Sequence, residues 1–278
     1  MAPTVGIVSP GAMGSALADA LDTRVLATLE GRSERTRRLA ARAPRLELLP
    51  SLEDVLRASD HVLSVAPPGE AEAIADAVRS AGASLLFVDL NAVSPETVRR
   101  IGVDVDGAIS GPPPWRPGTT RIYLSGPRAA EVANLPWTRV ELVVVGESIG
   151  TASAVKMCTA SVYKGTTALL AHALLTARSE GVVEHVLDDL RSSFPELVDG
   201  AGTAVARATT KSARYVPEMR EIAETQAAAG LPRELFDGVA AAYEALSNRE
   251  LASTAPEDVP AGLDVEEALD LLGRYREG

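Results

Sequence analysis

Two stretches of this 278-residue chain, and one pair of lysines, combine residue types that bind phosphate or move protons. In SPGAMG, residues 9–14, Gly11 and Gly14 follow an apolar run, and Ser9 stands where a phosphate-binding turn ordinarily carries its first glycine. Glycines there let the backbone approach a pyrophosphate, which rests on the N-terminus of the next helix. The competing reading is a plain strand-to-helix connection. In LEGRSERTRR, residues 29–38, Arg32, Ser33, Arg35 and Thr36 gather charge and hydroxyl donors suited to phosphate, beside an acidic Glu30. Here the alternative is a solvated helix start. Only three of the 27 basic residues are lysines, at positions 156, 164 and 211, so Lys156 and Lys164 stand out on one apolar stretch.

Composition narrows the partners. A net charge of −11 opposes a nucleic-acid role, because phosphate binding by a surface draws on clustered Lys and Arg. No apolar run reaches the roughly 20 residues of a membrane-spanning helix. The single cysteine, Cys158, excludes a disulfide framework within the chain, and the opening MAPTVGIV lacks the charged and apolar regions of a signal peptide; a soluble cytoplasmic protein is expected. His61, His172 and His185 are spaced unlike a metal site, so no metal is expected.

The elements that must position these residues fall into two halves. As far as about residue 145, strand-length runs (TVGIVS, RVLATL, HVLSVA, SLLFVDL, DGAIS, TRIYLSG, VELVVVG) alternate with helical patterns, which indicates a parallel sheet covered by helices. Ser51 with Asp54, and Ser94 with Pro95, mark helix starts. Past Gly150 the chain turns Ala- and Leu-rich without strands, and TASAVKMCTASVYKGTTALLAHALLTA carries so little charge that burial on most sides, against the first domain or another subunit, is expected. The expected architecture is α/β: an N-terminal Rossmann doubly wound parallel sheet over 1–148, then an all-α domain over 149–278. A turn opening a helix after the first strand favours dinucleotide binding, and the arginine cluster after the second strand favours the 2′-phosphate of NADP. The cofactor contacts expected are Ser9, Pro10, Gly11, Ala12, Met13, Gly31, Arg32, Ser33, Thr36, Ala66 and Asn91. Pro10, with its fixed φ, is expected to relax the turn that Ser9 would otherwise strain.

With these motifs in this order, the chain resembles the 3-hydroxyacid dehydrogenase family, which includes the cofactor domain of phosphogluconate dehydrogenase and the related imine reductases. The resemblance extends over nearly the whole chain and matches SPGAMG to the family's GxGxMG turn, Gly31, Arg32 and Ser33 to its polar NRT, and Ser110 and Gly111 to its Ser-Gly-Gly substrate loop, with Pro112 in place of the second glycine. It implies that Lys156 is the catalytic lysine of GxGxxxKxxxN, while the asparagine four residues on is Ala160. It also implies a homodimer formed through the helical domain. Pro217 and Glu218 replace the Lys-Asp pair of a later family helix.

Hydride transfer to a carbonyl or imine needs a proton donor in reach, and a partly desolvated lysine suits that role. Residues four and seven beyond Lys156 share its helical face, so Tyr163, leaning toward the space left by Ala160, is expected to assist as a catalytic group, with Thr159 as the other candidate. Lys164, His172, Arg214 and Tyr215 complete the substrate contacts expected beside Ser110, Gly111 and Thr159. For Lys164 the alternatives are a snorkelling lysine or a buried ion-pair partner; for His172, a core histidine; for Arg214 and Tyr215, a helix-start role; for Trp115 and Arg116, a rigid surface loop in place of a substrate cap. The function expected is NADP-dependent hydride transfer on a small carbonyl or hydroxy acid, with imine reduction or a catalytically silent NADP-binding regulator as alternatives.

Overall fold

The computed structural model describes residues 3–82 and 84–274. The chain divides into two compact units, Met1–Met157 and Cys158–Gly278. The first alternates strands and helices: β1 (Val5–Val8), α1 (Ala12–Asp19), β2 (Val25–Thr28), α2 (Glu34–Ala40), β3 (Leu46–Leu49), α3 (Leu52–Arg57), β4 (His61–Ser64), α4 (Ala71–Ala81), β5 (Leu86–Asp89), α5 (Pro95–Ile101), β6 (Val105–Ser110), β7 (Arg121–Ser125), α6 (Ala129–Ala133) and β8 (Glu141–Gly146). Among the described residues these strands form one sheet in the order β3-β2-β1-β4-β5-β6-β7-β8. The order runs outward in both directions from β1 and β4, which is the doubly wound arrangement expected.

Two features depart from the sequence reading. An eighth strand, β3, lies at the sheet edge; LELL is short and half-exposed, and it pairs in parallel with β2 while Glu47 bonds Arg24. Its weak alternation hid it. The sheet is also mixed, because β7 runs antiparallel to β6, and β8 is parallel to β7. A parallel partner requires a crossover of a dozen or so residues, usually a helix, and the segment between Ser110 and Arg121 contains none.

Apolar side chains cover both faces. Leu17 of α1 and Leu21 just beyond it pack with Val88, Ile122 and Leu124 on one face, and Leu56 and Val98 pack with Val62 and Phe87 on the other. Ser51 and Ser94 cap their helices as expected, each hydroxyl accepting the backbone N–H three residues on.

Helix α7 (Thr151–Ser179) crosses the division between the units. Its root is fixed by a carboxylate. Asp106, fully buried on β6, accepts hydrogen bonds from the Gly150 N–H (2.9 Å), the Ser153 N–H (3.1 Å), the Ser153 hydroxyl (2.7 Å) and the Ser125 hydroxyl (2.9 Å). Ser125 in turn accepts from the Ala152 N–H at 3.0 Å. These bonds satisfy donors that a helix N-terminus leaves without intrahelical partners.

The second unit continues with α8 (Val183–Ser193), α9 (Pro195–Val198), α10 (Ala201–Thr209), α11 (Ser212–Ala228), α12 (Glu234–Ser247) and α13 (Val265–Gly273), and contains no strand among its described residues. Met219, Ile222, Phe236, Tyr243 and Leu269 are among its buried core residues. Asp106→Ala is expected to lower the unfolding free energy by about 3 kcal/mol, since it leaves several buried donors unsatisfied; denaturant unfolding monitored by Trp fluorescence checks this, and a loss below about 1 kcal/mol would contradict the anchoring role.

Candidate active site

The parallel strands β1, β4, β5 and β6 are neighbours in the sheet, so their C-terminal ends lie along one edge, and the winding reverses between β1 and β4. Crevices at such a reversal are where open α/β sheets bind ligands. After β1 the chain turns at Ser9 with φ of 70°, the left-handed conformation usual for glycine. Pro10 therefore does not remove the strain expected at this turn. It stays on Ser9, at a cost of about 1–2 kcal/mol. The Gly11 N–H donates to the Ser9 carbonyl (2.8 Å), and the Ser15 hydroxyl donates to the Pro10 carbonyl (2.6 Å).

The two remaining glycines have different reasons. A Cβ on Gly14 would stand 2.5 Å from the Ser9 carbonyl oxygen, so only glycine lets α1 pack so close to the turn. A Cβ on Gly11 would meet nothing within 4 Å, which leaves open space over the N-cap of α1. Ala12 begins that helix, while Met13 packs against the core cluster beneath it.

Beyond β2, Gly31 turns with φ of 65° and Ser33 caps α2, its hydroxyl accepting the Thr36 N–H at 3.2 Å. Arg32 lies 3.7 Å from Glu70, and its Nε is shut off from solvent with no hydrogen-bond partner. An orphaned guanidinium N–H, an open cradle at Gly11 and a left-handed turn together fit a nicotinamide dinucleotide.

The ends of β4 and β5 are tied to each other by Asn91. Its Oδ1 accepts the Ala66 N–H (2.6 Å), and its Nδ2 donates to Ser64 Oγ (2.8 Å) and Asp89 Oδ1 (2.6 Å). The Asn91 side chain is thus committed to holding two loops in place. Burial, aided by the neighbouring Asp106, pushes the Asp89 carboxyl up to about 7, against the hydrogen bonds from Asn91 and Ser64.

On β6, Lys156 Nζ donates to the Ile109 carbonyl at 2.8 Å, one residue before Ser110. The structure therefore brings Lys156 of α7 to Ser110 and Gly111. Gly111 turns with φ of 100°, and a Cβ there would lie 2.1 Å from the Thr119 carbonyl oxygen; this closes the loop on itself, and the Thr120 hydroxyl bonds the Pro112 carbonyl at 2.6 Å. Within this loop, Trp115 donates to Asp19 (3.2 Å) and stacks under Arg42 (4.6 Å), so its side chain is used in fixing the loop.

The remaining residues on α7 separate. Ala160 is buried at 3% exposure, and Tyr163 is 70% exposed with no hydrogen bond to its hydroxyl among the described residues. His172 is exposed and not the core histidine of the alternative reading. Thr159 is half-buried. In the second unit, Lys164 forms a buried ion pair with Glu218, lies 4.3 Å from the Tyr215 ring centre, and shares Glu218 with Arg214 (3.5 Å). Lys164, Arg214 and Tyr215 thus form one cluster, with Lys164 as the ion-pair partner among its alternatives. Burial raises the Tyr215 phenol above its ordinary range.

Sequence reasoning missed Asp106 and the Asp89 network. The available signal was a carboxylate inside each of two otherwise apolar strands, VDGAIS and LFVD. Among the described residues no group of three His, Cys, Asp or Glu side chains can hold a metal ion, and no helix is long and apolar enough to cross a membrane.

Comparison with known proteins gives four findings. Residues 177–246 match the family model described as a domain of unknown function, DUF1932. An uncharacterised 28.5 kDa protein of Methanothermus fervidus is 27% identical over 229 residues, 78% of this chain and 88% of that protein. A solved conserved protein of unknown function, described as structurally similar to 3-hydroxyacid dehydrogenases, is 30% identical with a TM-score of 0.64, covering 91% of this chain and all of the other. The fold is also that of Mycobacterium tuberculosis 3-hydroxyisobutyrate dehydrogenase with L-serine (18% identity, TM-score 0.68, 98% and 99% covered) and of a Myxococcus stipitatus imine reductase variant with NAD+ (21% identity, TM-score 0.52, 98% and 100% covered).

Asp89 generates a pH expectation. Its carboxyl ionises near 4 when unfolded and near 7 when folded, so it favours the folded state at low pH and that contribution is lost as pH rises from about 4 to about 7. Relative to wild type, Asp89→Asn should gain about 2 kcal/mol of unfolding free energy between about pH 5 and about pH 8. Urea unfolding at both values measures this, and a constant difference would refute it.

Proposed function

Because the chain belongs to the 3-hydroxyacid dehydrogenase-like superfamily of NAD(P)-binding proteins, to which the imine reductases are related, we propose that it is an NADP-dependent oxidoreductase acting on a small carbonyl or hydroxy acid. The observation that carries the reading is the Lys156 ammonium bonded to β6 immediately before Ser110, on the sheet edge that also bears the Ser9–Gly14 turn.

The turn, with Gly11 and Ala12 at the start of α1, would hold the pyrophosphate, and Arg32, Ser33 and Thr36 the 2′-phosphate. Bound there, the nicotinamide supplies or accepts hydride. Lys156 holds a proton at the substrate oxygen and gives it up in reduction, or takes it back in oxidation. Ser110 and the Gly111 backbone orient that oxygen, and the Thr120 hydroxyl's bond to the Pro112 carbonyl fixes the loop that follows them. Asn91 and Asp106 act indirectly, by keeping the strand-end loops and α7 in register.

The absence of an asparagine at Ala160 favours a second reading, imine reduction, since that position offers no amide to a hydroxyl substrate. Turnover of a cyclic imine exceeding that of every aldehyde and ketone tried would decide for it. A silent NADP-binding regulator would bind cofactor and turn over neither class.

We propose further that the protein is a cytoplasmic homodimer. Val162, Tyr163 and Leu169 give α7 an exposed apolar face in the single chain, and a second copy would cover it. The exposed thiol of Cys158 suits a reducing compartment. Light scattering is expected to report twice the chain mass, and Leu169→Glu to shift it toward one; a wild-type monomer would end this proposal.

Steady-state kinetics with NADPH, NADH and a panel of short aldehydes, keto acids and cyclic imines tests the chemistry. Lys156→Ala is expected to lower kcat by about 10²–10⁴-fold with NADPH still bound. Arg32→Ala should reduce the NADPH-to-NADH ratio of kcat/KM about tenfold or more, through a lost charge-assisted contact. Full turnover in Lys156→Ala would refute the proton-donor assignment, and an unchanged ratio in Arg32→Ala the preference for NADP.

A further inference from the structure

The polar group missing from α7 at Ala160 has a counterpart on the sheet. In the antiparallel pair of β6 and β7, Arg121 is the direct partner of Ser110, Tyr123 of Ala108 and Ser125 of Asp106. Directly opposite side chains share a face, and alternation along each strand puts Asp106, Ala108, Ser110, Arg121, Tyr123 and Ser125 together on it. This is the face on which α7 starts, since Asp106 and Ser125 bond its first turn. Lys156 reaches the Ile109 carbonyl between Ala108 and Ser110. A guanidinium and a phenol therefore flank the serine and the lysine.

The state of that guanidinium is informative. Its Nη2 donates to Glu141 on β8 at 2.7 Å, and its Nη1 lies 3.4 Å from the Tyr123 hydroxyl. The Nε is shut off from solvent and has no hydrogen-bond partner. A guanidinium carries five N–H donors in a planar fork suited to carboxylates. A cross-strand ion pair accounts for the bond to Glu141. It does not account for an N–H shut off from solvent and left unsatisfied in register with Ser110, which is unfavourable unless a ligand completes it.

We propose that Arg121 is a specificity-determining residue that holds a carboxylate of the substrate beside Ser110, with the Tyr123 hydroxyl as a second donor. This rests on the reading of Lys156 and Ser110 as the reaction site. Arg121 then does from the strand what a helix-borne amide at position 160 would have done, and the missing asparagine leaves the site able to bind an acid.

Succinate, an unreactive carboxylate probe, is titrated calorimetrically into the full-length protein in the presence of NADP. Arg121→Gln is expected to weaken binding about tenfold or more, and Glu141→Gln, which removes the same ion pair but keeps the guanidinium, to stay within about threefold of wild type. Equal binding by wild type and Arg121→Gln, including no binding by either, overturns the proposal. So does an equal loss in both variants, which marks a structural ion pair. In parallel, reduction of succinic semialdehyde and butanal by the wild type is measured: turnover of neither counts against the oxidoreductase reading, while the succinate titration still decides the role of Arg121.

Discussion

A carboxylate buried beneath a helix N-terminus carries the organisation of the first unit. Asp106 stands on β6 and collects backbone and hydroxyl donors from Gly150, Ser153 and Ser125, so the first turn of α7 is held to the middle of the sheet. Three residues along the same strand, Ile109 receives the ammonium of Lys156, and the next residue is Ser110. One strand thus sets both the root of the helix and the place of its Lys156 side chain. Buried polar groups in such a network specify geometry strongly, because each alternative arrangement leaves a donor or acceptor unpaired in a medium of low dielectric.

The same logic governs the rest of that sheet edge. Asn91 joins the ends of β4 and β5, using every donor of its amide in doing so. Ser9 keeps a left-handed backbone without being glycine, and Gly14 lets α1 approach the turn to a distance no Cβ would permit. Strain retained at a turn is compatible with folding when neighbouring bonds hold it; here the Ser15 hydroxyl secures Pro10. The edge is thus shaped by interactions internal to the protein.

The second unit handles charge differently. Glu218 is buried and Lys164 largely so, and an ion pair removed from water gains little net stability over an apolar pair of the same shape. The Tyr215 ring beside the ammonium and the Tyr243 hydroxyl on the Lys164 carbonyl offset part of that cost and tie α7, α11 and α12 together. On its outer side α7 shows Val162 and Leu169, so a helix poor in charge is not covered by its own chain along its whole length.

Alternating strands and helices, the capping serines, the glycine turn and the change to helices after the sheet were legible in the sequence, because each depends on residues close together in the chain. Lys156 was singled out by the family resemblance, and in the structure its ammonium meets the Ile109 carbonyl. Short edge strand β3 was not legible, since its pairing with β2 does more to define it than its own four residues do. The direction of β7, the commitment of Asn91 to two loops, the packing around Ala160 and the junction of Arg121 with Ser110 were decided only by the tertiary structure. Each depends on register between segments distant in sequence, and register follows from the burial and hydrogen bonding of the assembled sheet, which no local pattern of residues encodes.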